Sequence, residues 1–142
     1  MKHGQGENIF QWASGTIYTG DFHNDKRHGK GKLEFCDGNV YEGLFQDDNM
    51  HGNGKFTYEC GSWYEGGWSR GQKEGYGTMV YKEANGKESR YAGNWKNDKR
   101  DGQGDMTWAH GPTYSGGWRA DLKHGTGVYT WPPPTTPIAG EE

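Results

Sequence analysis

One motif returns along this chain with almost no drift. It opens Tyr-x-Gly-x-aromatic at Tyr18-Thr-Gly20-Asp-Phe22. It recurs at Tyr41-Glu-Gly43-Leu-Phe45, Tyr64-Glu-Gly66-Gly-Trp68, Tyr91-Ala-Gly93-Asn-Trp95 and Tyr114-Ser-Gly116-Gly-Trp118. Eleven residues after each Tyr comes Gly-x-Gly: Gly29/Gly31, Gly52/Gly54, Gly75/Gly77, Gly102/Gly104 and Gly125/Gly127. The Tyr-to-Tyr spacings are 23, 23, 27 and 23, so a single insertion of four residues falls between Tyr81 and Tyr91. A half-repeat opens the chain at Gly4/Gly6. A fixed period of this length means that each unit is one supersecondary element, too small to bury its apolar face alone and stacked on its neighbours.

Each unit holds two short runs with period-two alternation, the signature of β-strands. Tyr18, Gly20 and Phe22 share one face, as do Gly31, Leu33 and Phe35 on the second run, while Thr19, Asp21, Lys30, Lys32 and Glu34 take the other. Carried along the chain, the alternation puts all but Trp63 and Tyr76 of the 21 aromatic residues on the inward parity. Polar stretches such as His23 to His28 read as loops, and Asp37-Gly38 and Asn85-Gly86 read as tight turns. The expected fold is all-β: an elongated single-layer antiparallel meander of β-hairpin repeats, about eleven strands and, at ~4.8 Å per strand, about 50 Å long. The array spans 1–131, with a half-repeat at 3–17 and repeats starting at 18, 41, 64, 91 and 114. A Pro-rich flexible tail follows at 132–142, where Pro132, Pro133 and Pro134 cannot donate to a ladder and stop the sheet.

Composition says what must fill the interior. Only 30% of the residues are apolar and 26 are glycine, so burial has to come from aromatic rings. Disordered chains share the low hydropathy but are poor in aromatics. A formal charge of −3 gives no positive footprint for nucleic acid. No stretch approaches the ~18 apolar residues of a membrane span, and Met1-Lys2-His3-Gly4 is unlike a signal peptide, which points to a cytoplasmic protein. Cys36 and Cys60 are expected as free thiols, since a two-strand separation of about 10 Å exceeds disulfide reach.

Tyr-x-Gly-x-Phe/Trp followed by His-Gly-x-Gly at this period resembles the MORN (membrane occupation and recognition nexus) repeat family over roughly residues 3 to 131. Glu74 and Asp101 depart from the family's usual His or Asn before Gly. The resemblance implies single-layer antiparallel sheets and a non-catalytic scaffold or adaptor role in cilia, cytoskeletal collars and membrane junctions. A cytoplasmic, cytoskeleton- or cilium-associated setting follows from it.

Candidate chemistry is sparse. His3, His28, His51 and His124 sit at one repeat position, about 10 Å apart between neighbours, too far for two imidazoles to share one ion, so no metal is expected. Gly-x-Gly without a helix N-terminus is no phosphate cradle, and no nucleophile and base can be singled out, so no cofactor and no catalysis are expected. The partner site is placed on the aromatic face of the middle repeats, at Tyr41, Phe45, Phe56, Tyr58, Tyr64, Trp68, Tyr81, Tyr91, Trp95 and Trp108, to hold a helical or extended protein segment. The rival is the opposite face, where Val40, Leu44, Trp63, Tyr76 and Val80 form an outward apolar group. A second class of function is a membrane-associated module. There a loop edge carrying Lys26, Arg27, Arg70, Lys73, Lys96, Lys99, Arg100, Arg119 and Lys123 would meet anionic phospholipid weakly and in a salt-sensitive way. The N-terminal strand edge, with no proline block, is the expected route of any homo-oligomer.

Overall fold

A computed structural model describes residues 8–131. The chain forms a single eleven-stranded antiparallel sheet in which every strand pairs with its sequence neighbours. The strands are β1 (Asn8–Gln11), β2 (Ile17–His23), β3 (Lys26–Glu34), β4 (Val40–Gln46), β5 (Asn49–Thr57), β6 (Trp63–Ser69), β7 (Gln72–Lys82), β8 (Glu88–Lys96), β9 (Lys99–Thr107), β10 (Thr113–Arg119) and β11 (Leu122–Thr130). The expected meander is present. The Pro-rich tail and the Gly4/Gly6 start of the half-repeat lie outside the described residues. Within them, Phe10 faces Tyr18 and Asn8 faces Gly20, so the glycine position of the half-repeat is filled by Asn8.

The polar stretches read as loops are mostly strand. β2 runs to His23 and β3 resumes at Lys26, leaving Asn24-Asp25 as a two-residue turn with φ of 52° and 63°. Positive φ at both central positions is the type I′ geometry, whose twist matches the flanking strands and which Asn and Asp adopt at low cost. Asp47-Asp48 and Asn97-Asp98 repeat it. The first glycine of Gly-x-Gly then has a conformational task. Opposite the single residue Asp21, β3 carries three residues between Arg27 and Gly31, and Gly29 at φ 77° bends the backbone through this bulge.

The insertion of four lengthens one hairpin without changing its parity. Beyond Val80↔Arg90 the strands β7 and β8 add the pairs Tyr81↔Ser89 and Lys82↔Glu88, two residues on each side. The insertion is tolerated because it is shared equally by the two strands, which keeps the register Val80↔Arg90 and so the facing of every side chain downstream.

Both margins of the sheet are stitched between repeats by turn residues. On one, the backbone N–H of Asp48, Asp98 and Asp121 donates to the carbonyls of Arg27, Lys73 and Arg100. The same three carboxylates accept from the backbone N–H of Arg27, Lys73 and Arg100 at 2.8, 2.7 and 2.8 Å. On the other margin, Asn39 Oδ1, Ser62 Oγ and Ser89 Oγ accept from the backbone N–H of Glu59, Lys82 and Ala109 at 2.8, 2.9 and 2.9 Å. Turns that would otherwise fray thereby become part of the array.

The core lies on one face of the single layer. Its cluster comprises Tyr18, Leu33, Tyr41, Phe45, Tyr64, Trp68, Met79, Tyr91, Trp95, Met106, Tyr114 and Trp118. No second layer is needed, because each repeat Tyr lies along its own strand and donates its hydroxyl to the carbonyl three residues on: Asp21, Leu44, Gly67, Asn94 and Gly117 accept from Tyr18, Tyr41, Tyr64, Tyr91 and Tyr114. The ring covers the second glycine of Gly-x-Gly in the facing strand, where an added Cβ would fall inside it. The next aromatic meets the Tyr edge-on, as with Tyr64 and Trp68 at 5.2 Å between centroids, and the Trp of the following repeat closes over the same Tyr, as with Tyr64 and Trp95 at 5.3 Å.

Burial raises the ionisation of these phenols. Desolvation pushes Tyr18 up to about 12, and raises Tyr41, Tyr64 and Tyr91 further in the same direction. A folded-state pKa above the unfolded value near 10 means that this stabilisation is full below pH 10 and is lost as pH rises through the folded values. The array is therefore expected to melt at progressively lower temperature above pH 10. A melting temperature flat from pH 9 to 12 would show the phenols to be solvated.

Candidate interaction surface

The aromatic face consists of three parallel rows that run across the strands. The central row is the buried floor: Tyr41, Tyr64 and Tyr91 have no exposed surface, and Phe45, Trp68 and Trp95 retain 3%, 6% and 5%. These six were expected to touch a partner, and the structure places them beneath the surface instead. Edge-to-face packing and the missing glycine side chains let neighbouring rings cover one another, so their part is to build the platform. Phe56, Tyr58, Tyr81 and Trp108, from the same expected set, are half-buried and pack against that floor.

The second row is formed by one repeat position, Trp12, Phe35, Tyr58, Tyr81, Trp108 and Trp131; Trp12, Phe35, Tyr58 and Trp108 open the turns of one margin, while Tyr81 lies within the lengthened β7. It starts at 36% exposure with Trp12 and ends at 63% with Trp131, and the four rings between them are half-buried. Phe35, Tyr58, Tyr81 and Trp108 pack against the floor, and rings of the row also meet neighbours on their own strand, as in Phe56–Tyr58 at 4.8 Å and Tyr129–Trp131 at 5.3 Å.

The third row was misplaced by sequence reasoning. Arg27, Lys73, Arg100 and Lys123 were assigned to a basic loop edge, but because the turns are only two residues long, they sit within strands and face Phe22, Trp68, Trp95 and Trp118. Their charges lie over rings: Arg27 is 5.4 Å from the Phe45 centroid, Arg100 is 4.7 Å from Trp118, and Lys123 is 5.0 Å from both Trp108 and Tyr129. Arg27 and Arg100 also pair with Asp48 and Asp121 at 3.1 and 3.0 Å. The signal was available, since positions 27, 50, 73, 100 and 123 follow the repeat spacing as Arg, Met, Lys, Arg and Lys. Met50 is the departure, and the turn that docks on it, Arg70-Gly71, lacks the aspartate that the other turns supply.

The opposite face holds the rival group, with one correction. Val40, Trp63 and Val80 fall in one cross-strand row, through Val40↔Thr57, Thr57↔Trp63 and Trp63↔Val80. Val80, however, is only 3% exposed, flanked in register by the large side chains of Trp63 and Arg90, so it offers no surface. Trp63 is half-buried and its ring is capped by the Lys55 ammonium at 4.7 Å. Leu44 and Tyr76 are exposed, at 38% and 66%, but stand in another row. A hollow on this face, lined by Thr19, Asp21, Lys30, Lys32, Glu42, Leu44 and Asn53 beside the glycines, is of mixed charge and contains no ring.

Cys36 and Cys60 are exposed free thiols. Among the described residues no group of three His, Cys, Asp or Glu converges as a metal site, and no helix is long and apolar enough to cross a membrane. The family model for the MORN repeat matches five times in succession, at residues 18–40, 41–62, 64–83, 91–112 and 114–133. No curated protein matches the chain.

Proposed function

Since the chain belongs to the MORN repeat family, we propose that it is a non-catalytic scaffold that holds a helical or extended segment of a partner protein along its aromatic face. The observation that carries this reading is the row of half-exposed rings from Trp12 to Trp131, laid on a buried aromatic floor and bordered by cations. Aromatic side chains seated on a rigid, largely desolvated platform are the chemistry of binding hot spots. Cytoplasmic assemblies of the cytoskeleton, cilium or flagellum are the setting in which to look for the partner, by the resemblance noted above. The phospholipid reading has less support, because two of the cations it relied on are paired with aspartates and four of the nine, Arg27, Lys73, Arg100 and Lys123, are turned onto the aromatic face.

The test is affinity capture of the partner followed by a comparison of Trp108→Ala with Trp63→Ala, each checked by thermal melting. Trp108 is half-buried, so its removal trims contact surface without opening the floor as Trp68→Ala would. Trp108→Ala is expected to weaken binding at least tenfold, as a hot-spot truncation of ~2 kcal/mol does. Loss with Trp63→Ala alone would move the site to the opposite face.

A further inference from the structure

Lys73 and Lys123 are held differently from the arginines of their row. Among the described residues the ion pairs within 4.0 Å are Arg27–Asp48, Lys82–Glu88 and Arg100–Asp121, so neither lysine's ammonium is paired with a carboxylate: Asp98 accepts from the backbone N–H of Lys73, and Asp121, beside Lys123, is held by Arg100. The Lys73 ammonium lies among four rings, 5.4 Å from Tyr64, 5.6 Å from Trp95 and 5.8 Å from both Tyr58 and Trp68, and donates to the Tyr58 hydroxyl at 3.1 Å. Lys123 lies 5.0 Å from Trp108 and Tyr129 and 5.6 Å from Tyr114, beside an open hollow that also contains Arg100 and Trp118. A lysine free to extend into water loses side-chain entropy when it folds back over rings. Here the rings hold the charge on the aromatic face, with at least two ammonium protons of Lys73 left for an acceptor.

From this we infer that the aromatic face reads carboxylates: its occupant is an amphipathic helix of a partner protein with acidic side chains among apolar ones, and Lys73 and Lys123 are the residues that select it. The inference rests on the segment-binding reading above and names the chemistry of the segment. The pitch of the array sets the spacing. From β7 onward a cation recurs on every second strand, ~9.6 Å apart, as Lys73, Arg100 and Lys123, and Lys73 on β7 and Lys123 on β11 are four strands, or ~19 Å, apart. An α-helix lying across the strands rises about 10.5 Å in seven residues, so one Asp or Glu per heptad stays opposite the cation row while the residues between meet Tyr58, Tyr81 and Trp108. An arriving carboxylate meets a charge already ordered by its cage, and only the helix has to be fixed.

The probe is a synthetic helical peptide of three heptads with leucines on one stripe and Glu once per heptad beside them, compared with the same peptide carrying Gln at those positions. Binding to the full chain is followed by tryptophan fluorescence at low and at moderate salt. The Glu peptide is expected to bind at least tenfold more tightly than the Gln peptide at low salt. That advantage should vanish in the double variant Lys73→Gln/Lys123→Gln, return in Lys73→Arg/Lys123→Arg and be unchanged in Lys82→Gln, all matched for thermal melting. Equal binding of the two peptides would overturn the carboxylate reading and leave the segment-binding reading standing. Binding of neither, with Trp108→Ala still abolishing capture of the natural partner, would overturn the helix chemistry alone. Phosphatidylserine-containing vesicles bound through the same two lysines, with no preference between the peptides, would assign the cations to lipid headgroups and overturn it as well.

Discussion

Gly66→Ala is expected to cost the array about 3 kcal/mol or more, the upper end for a methyl forced into a packed interior. Gly66 on β6 faces Gly77 on β7, and a Cβ built at Gly66 would meet the Cα of Gly77 and the carbonyl oxygen of Tyr76. Neither can move aside, since both belong to the backbone of the neighbouring strand. A Cβ at Gly77 would instead enter the ring of Tyr64, which has no exposed surface and is fixed by its bond to Gly67. The two glycines therefore act as one: they let strands and ring approach. Gly86 is the control, a turn glycine at φ 87° with nothing within 4 Å of an added Cβ. Gly86→Ala carries only the backbone cost of a left-handed residue, about 1–2 kcal/mol. Urea unfolding of the two variants beside the parent measures both. If Gly66→Ala were no costlier than Gly86→Ala, the glycine stripe would serve backbone conformation and not ring packing.

The repeat period and the strand alternation were enough to give the sheet, its strand number and the face on which the rings gather, because a single layer has few ways to place side chains of period two. The burial of that face was harder to see. A row of Tyr, Phe and Trp with no covering layer looks like exposed surface, and only the path of each Tyr along its strand to the carbonyl three residues on shows how the sheet covers its own rings. The cation row was hidden by the assumption of six-residue loops. Once Asn24-Asp25 is recognised as a complete I′ turn, Arg27 falls at the inward parity and every equivalent position follows. Val80 was assigned by parity alone, which says which way a side chain points but not whether its neighbours in the row are large enough to bury it. For the same reason the half-exposed aromatic row could not be separated from the floor: both share a parity, and only their distance from the glycine stripe distinguishes them.

Trp95→Ala is expected to cost about 3–5 kcal/mol, the range for truncating a buried aromatic side chain. The ring is 5% exposed and contacts Tyr64 and Tyr91 edge-on at 5.3 and 5.1 Å, so it joins the repeat that starts at Tyr64 to the one that starts at Tyr91. Its indole N–H donates to the Gly77 carbonyl at 3.0 Å, on the adjacent strand β7. Removing it opens a cavity between two repeats and leaves that acceptor without its donor, in an array where each repeat is stabilised mainly by its neighbours. The first repeats show which part matters more, since Phe22 and Phe45 occupy the same position with a ring and no N–H. Trp95→Phe should therefore cost much less, the loss of one hydrogen bond of about 1 kcal/mol together with some contact area. His51→Ala, at a half-buried margin position, should fall within about 0.5 kcal/mol of the parent. Chemical denaturation of the three variants gives the order directly. A Trp95→Phe variant as damaged as Trp95→Ala would transfer the role from the ring to the indole hydrogen bond, and a His51→Ala variant equal to either would mean that the margin, not the aromatic floor, holds the repeats together.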